Sequence, residues 1–167
     1  MEAQAIVDQL ELNAKTFSAL LGVKDTSFID WRPAAEKWNL REIAAHLYDE
    51  EREDFRARVL HFLYRPNETM KPIEPEQWVK DRKYNEMDYS LVVQDFLKER
   101  AESIELLRGI QDELWQPQYP HELFGKIGPR FFLNNWLAHD YLHFKQISQQ
   151  KYLFLKTQSE CSVEYAG

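Results

Sequence analysis

The 167-residue sequence has one cysteine, only five glycines and no long apolar run. A lone Cys161 excludes an intrachain disulfide and any cysteine-based zinc site. So few glycines argue against a glycine-rich nucleotide loop and against a turn-dense β fold. No stretch approaches the roughly 18 consecutive apolar residues of a membrane-spanning helix. The opening MEAQAIVDQLELNAK has neither the basic start nor the apolar core of a secretory signal, so a cytoplasmic protein without a membrane partner is expected. Excess positive charge is missing too. Lys and Arg number 21 against 28 Asp and Glu, a net charge of −7. Such a chain repels a phosphate backbone, and no local basic patch offsets this. A small-molecule substrate is expected, not nucleic acid.

Apolar residues make up 44% of the chain and aromatics 14%, which is enough for a folded core and excludes disorder. Their spacing is helical in four segments. Ile6, Leu10, Ala14, Phe17 and Leu21 recur at near-helical intervals, and Gly22 follows as a stop. Asn39 and Glu42 form a capping box that opens a second helix, which Arg65-Pro66 ends. Its charge cluster DEEREDFRAR is mixed in sign and reads as a solvated face. Val92, Phe96, Ile104, Leu107 and Leu114 mark a third helix over 88–114, and Pro129 opens a fourth that runs to about Gln150. The connection over 65–87 is too long for a simple turn, and WQPQYPHELFGKIGP reads as a second connection with room for a short ribbon. Trp31, Trp38, Trp78, Trp115 and Tyr84 read as core or loop anchors. The fold expected is all-α: a four-helix bundle over 1–154, with a long crossover between helices two and three, and a polar tail over 155–167.

Five histidines carry the chemistry to be considered: His46, His61, His121, His139 and His143. His139 and His143 stand four residues apart on one helix, which puts both imidazoles on one face. On spacing alone, the pair fits two packed core-edge rings as well as two metal ligands. A reactive site needs at least a third protein ligand, and His46 on another helix is the natural choice. Neither the HExxH motif of metalloproteases nor the Glu-x-x-His pair of di-iron bundles occurs.

The segments from Trp38 to Glu50 (WNLREIAAHLYDE) and from Leu137 to Ile147 (LAHDYLHFKQI) resemble the DinB/YfiT-like superfamily of metal-dependent enzymes. The resemblance runs from the first helix to about residue 150. The family is named for DNA-damage induction, which implies no DNA binding. It implies a four-helix bundle that holds a divalent metal on three histidines, here His46, His139 and His143. Asp140 and Gln146 match the later motif and Glu50 matches the acidic position after the earlier one. Phe144-Lys145 departs from the small residues often found before the Gln, which concerns the shape of a nearby wall. His61 and His121 match nothing and are expected at the surface or in a loop, with His121 able to line a pocket beside Tyr119 and Phe124.

Three neutral imidazoles leave an ion strongly Lewis acidic, able to hold a thiol as thiolate or to acidify a water. Glu50, one turn beyond His46, is a candidate catalytic proton acceptor; its other reading is a solvated carboxylate. Asp140 lies about 100° round the helix from His139, so it is expected to face away from the ion. Trp136, three residues before His139, is a candidate wall of the pocket. Zinc or nickel is the expected ion, with iron or manganese also compatible. The family includes bacillithiol S-transferases and the related mycothiol-dependent maleylpyruvate isomerase. The resemblance therefore implies a transferase that uses a low-molecular-weight thiol. A metal-dependent hydrolase and a non-catalytic metal-binding stress-response protein are the alternatives. Bundles of this size often pair, and a homodimer is expected. Sedimentation at micromolar concentration should show twice the chain mass, and a purely monomeric species contradicts it.

Overall fold

The computed structural model describes residues 2–70 and 72–166. Seven α-helices and one β-ribbon are formed among them: α1 (Ala3–Leu21), α2 (Thr26–Ile29), α3 (Leu40–Asp49), α4 (Ala57–Tyr64), α5 (Pro75–Asp81), α6 (Tyr89–Arg108), α7 (Pro129–Gln158), β1 (Tyr119–His121) and β2 (Gly125–Ile127). A π-helical stretch, Glu50–Arg56, joins α3 to α4 without a break, so the second bundle helix runs from Leu40 to Tyr64. The expected capping box is present: the Asn39 side chain accepts from the Glu42 N–H at 2.9 Å, and the Glu42 carboxylate accepts from the Asn39 N–H at 3.0 Å.

Two apolar clusters fill the bundle, one on each side of a charged layer. One holds Phe17, Leu47, Phe96 and Ile147; the other holds Leu10, Phe55, Ile104 and Leu137. Between them lie Asn13 of α1, Glu51 of the π stretch, Arg100 of α6 and Asp140 of α7, all buried. Going from N- to C-terminus, α1 and α7 pass from the second cluster to the first, while the second bundle helix and α6 pass the other way. The order is therefore up, down, down, up. Two consecutive parallel helices need a connection that travels the length of the bundle. Residues 65–88 provide it, carrying α5 and a 3₁₀ turn at Tyr84–Glu86 whose buried tyrosine donates to Asp49 at 2.7 Å. The bundle and its crossover are as expected from the sequence.

Several boundaries differ from the sequence reading. α6 ends at Arg108 on a Gly109 cap, and Leu114 sits in a separate 3₁₀ turn, Asp112–Trp115. α7 continues past Gln150 to Gln158, because Phe154 packs against Phe28 of α2 and against Trp31 at ring distances of 4.9 and 5.5 Å. The charge cluster is not a solvated face: Asp49, Glu50 and Glu51 are all buried. Both glutamates open the π stretch and have interior partners, Glu51 on Arg100 and Glu50 beside His46. His61 is likewise buried on α4 rather than at the surface, with its ring edge-on to Phe62 at 5.3 Å. Gly128, before Pro129, is a close approach: a Cβ there would meet the Pro117 carbonyl oxygen at 2.3 Å.

In the charged layer, Arg100 Nη1 and Nη2 each donate to Asp140 at 2.8 Å, and Nε donates to both oxygens of Glu51 at 3.0 and 2.9 Å. Asn13 donates to Asp140 at 2.9 Å and the Trp136 indole to Glu51 at 3.1 Å. Every helix of the bundle thus reaches this one guanidinium or its partners. Arg100→Met leaves two buried carboxylates without their counter-charge and should cost about 3–5 kcal/mol in urea unfolding. Arg108→Met, which removes exposed pairs to Asp8 and Glu11, should leave the midpoint nearly unchanged.

Candidate metal centre

His46 on α3 and His139 and His143 on α7 converge between these helices. His139 Nε2 stands 3.0 Å from His143 Nε2 and 3.4 Å from His46 Nε2. One ligand nitrogen from each ring lies within 4.8 Å of the others. His46 and His143 are buried and His139 is partly exposed. The convergence follows from helix geometry. Asp140, locked inward on Arg100, fixes the rotation of α7, and His139 and His143, about 100° and 60° round the helix on one side of it, then face the second bundle helix.

The rings are held by apolar neighbours. Trp38 lies against His46 with centroids 4.8 Å apart, and Phe55 against His139 at 4.9 Å. Burial keeps the imidazoles neutral. It pushes His46 down to about 3, with His143 adding to the effect, and pushes His143 down to about 4. His139 is driven well below the usual 6.5 by burial and by the other two rings. Neutral rings whose nitrogens point together bring lone pairs into contact, and a shared proton relieves one pair at a time. A divalent ion relieves all three. Tetrahedral ligands at about 2.0–2.1 Å stand roughly 3.3 Å apart, close to the separations found here. The donor set therefore fits a divalent cation, with no carboxylate or thiol in the cluster among the described residues.

Glu50 is buried one turn beyond His46, its Oε1 4.0 Å from His46 Nδ1. It stands on the Nδ1 side of the ring, away from the converging nitrogens. Burial raises its carboxyl to about 9, with the neighbouring Asp54 adding to the shift. Among the described residues, the buried Nδ1 atoms of His46 and His143 find no hydrogen-bond partner. Asp140 faces away from the cluster, as its position on the helix predicts. Gln146 is exposed, and Phe144 packs on Phe17 at 4.5 Å. Trp136 is a core residue rather than a pocket wall: it stacks under Phe55 at 5.7 Å, and Phe55 takes the position beside His139. His121 lines a cleft that His139 also lines.

Sequence reasoning missed Glu51 and Arg100, which hold the layer under the site. The signal was a gap in the apolar stripes. Asn13 falls between Leu10 and Phe17, and Arg100 falls between Phe96 and Ile104, each at a core-facing position.

Solved structures share the fold. YfiT from Bacillus subtilis, described as a probable metal-dependent hydrolase with an unusual four-helix bundle topology, superposes with a TM-score of 0.78 at 17% identity, covering 90% of this chain and 86% of that one. TT2238, described as a four-helix bundle protein, gives a TM-score of 0.55 at 15% identity, covering 88% of this chain and 98% of that one. No curated protein matches the sequence. Residues 9–147 match the model of the DinB superfamily, and the chain belongs to that family.

Proposed function

We propose that this protein is a metal-dependent enzyme that transfers a low-molecular-weight thiol to an electrophile. His46, His139 and His143 would hold the ion. The supporting observation is the convergence of three neutral imidazoles with no anionic donor among them. A bound divalent ion supplies Lewis acidity that stabilises an anionic ligand, thiolate or hydroxide, at neutral pH. Among the described residues no thiol lies there: Cys161 is exposed beyond the end of α7. An external thiol would fill that role. Glu50, beside His46 Nδ1, would be protonated at neutral pH because its carboxyl is raised to about 9, so it would stand as a proton donor rather than as an acceptor.

Clefts open onto His46 on one side and onto His139 on the other. Access of this kind favours a reactive site over a closed structural clip. The hydrolase reading is supported by the description of YfiT, and it uses the same three histidines with water in place of the thiol. Zinc and nickel remain the ions best suited to imidazole donors, with iron next. Among the described residues, no helix is long and apolar enough to cross a membrane.

One equivalent of divalent metal should copurify. His143→Ala should weaken its binding by more than the roughly 10–100-fold typical of losing a supporting residue. Full stoichiometry and affinity in that variant would sink the assignment. Protonated imidazole cannot ligate, yet burial holds His46 to about 3 and His143 to about 4. Protons therefore compete only in acid. Metal content should hold to roughly pH 5 and fall below it, and release centred between about pH 6 and 7 would show ordinary solvated histidines.

The reaction itself is tested with metal-loaded protein, monochlorobimane and a panel of low-molecular-weight thiols. Conjugation should be accelerated with one thiol and lost in His46→Ala. Metal-dependent ester or amide hydrolysis without any thiol acceleration would establish the hydrolase instead.

A further inference from the structure

The two openings of the site differ in chemistry. The one beside His46 is lined by Glu36, Glu74, Glu76 and Lys80. The one beside His139 is an apolar cleft of about 390 Å³, between α7, the π stretch and the ribbon, lined by Phe55, Ile127, Phe131, Phe132 and Leu142. That volume lies within the range of small-molecule sites, roughly 300–1,000 Å³. Among the described residues, the charged ones in its lining, Asp54 and Arg58, are paired with each other.

The aromatic rings form a connected series. Phe132 meets Phe131 edge-on at 5.1 Å, Phe131 meets Phe124 at 5.5 Å, and Phe124 stacks on His121 at 5.0 Å. Rings spaced this way offer faces and edges to a further ring. Phe124 is 60% exposed and Leu142 66% exposed, a large apolar rim for residues whose side chains normally pack. His121 supplies the polar element. Its Nδ1 accepts the backbone N–H groups of Leu123 at 3.2 Å and Phe124 at 3.4 Å, so in the neutral ring the proton sits on Nε2. The ribbon turn thereby fixes the tautomer and leaves Nε2–H as the ring's remaining donor. The side-chain amide of Asn135, also in the lining, already donates to the Phe131 carbonyl at 2.8 Å.

We propose that this cleft binds a small uncharged aromatic molecule bearing a carbonyl, its ring among the phenylalanines and its oxygen accepting from His121 Nε2–H beside His139. As the seat of the electrophile, the inference rests on the function proposed above; the binding itself does not. A group held here lies against one imidazole of the cluster, while the polar opening beside His46 is left for a second, more polar reactant. His121 is on this view a specificity-determining residue, and the ribbon is the part of the fold that presents it.

The test is ligand-observed NMR on the full chain, metal-free and metal-loaded, with acetophenone, ethylbenzene and benzoate as probes. Acetophenone should bind both forms. Ethylbenzene, which keeps the shape and loses the acceptor, should bind about fivefold more weakly, the scale of one hydrogen bond. Benzoate should bind more weakly than acetophenone. His121→Phe keeps the ring stack and removes the donor, so it should erase the preference for acetophenone over ethylbenzene. Leu142→Trp, at an exposed position, should fill the cleft and abolish binding of every probe with metal content unchanged. Cobalt(II)-loaded protein should broaden the acetophenone signals, which places the probe near the cluster. Failure of metal uptake with acetophenone binding intact and blocked by Leu142→Trp removes the metal chemistry and leaves this assignment standing. Absence of acetophenone binding, or binding indifferent to Leu142→Trp, overturns it. So does a Leu142→Trp variant that changes sedimentation but not probe binding, because the face would then be a contact between copies of the chain.

Discussion

Arg100 carries a full charge in the interior of the bundle, and the rest of the structure is arranged around it. Burial alone would disfavour its charge, but Asp140 and Glu51 overcome this and hold the guanidinium firmly protonated. The guanidinium is planar and its donors have fixed directions, so its partners must come to it in fixed orientations. Asp140 takes the fork and Glu51 takes Nε, which sets the rotation of α7 and of the second bundle helix about their own axes. Asn13 and Trp136 each add a hydrogen bond to these carboxylates, and Asn13 brings in α1. Such a layer adds less net stability than apolar packing of the same volume. What it supplies is register: an axial slip of any one helix breaks hydrogen bonds that no neighbour can replace.

That register is what makes the histidine cluster. Residue 140 points inward, so 139 and 143 lie on the flank that faces α3, and His46 meets them there. On the opposite helix, Glu50 lies beside His46 while the next residue, Glu51, reaches Arg100. Phe55 stands between His139 and Trp136, joining the site to the core.

The surroundings of the cluster do two things at once. Trp38 and Phe55 exclude water from the rings, and exclusion of water keeps the imidazoles neutral and ready to ligate. The same apolar material continues outward along the phenylalanines of α7 to the ribbon, where it lines the cleft beside His139. The ribbon is short, and its main consequence is the position and tautomer of His121.

The sequence by itself determined the helices, the long crossover and the pairing of His139 with His143 on one helix face, while His46 joined them through the family resemblance of its segment. These are local properties: apolar spacing, the Asn39–Glu42 capping box, and the four-residue interval between His139 and His143 are all readable along one helix. Only the tertiary structure decided the rest. Mixed charges such as DEEREDFRAR have the same local pattern whether they face water or an arginine on another helix, so the burial of Glu50 and Glu51 was invisible until α6 was in place. His61 and the end of α7 were misjudged for the same reason, since each depends on a neighbour remote in sequence. Even the polar gaps at Asn13 and Arg100, which interrupt two apolar stripes, carry no partner information. A buried charge is stable only with its counter-charge, and the distance that satisfies it is set between helices, not along them.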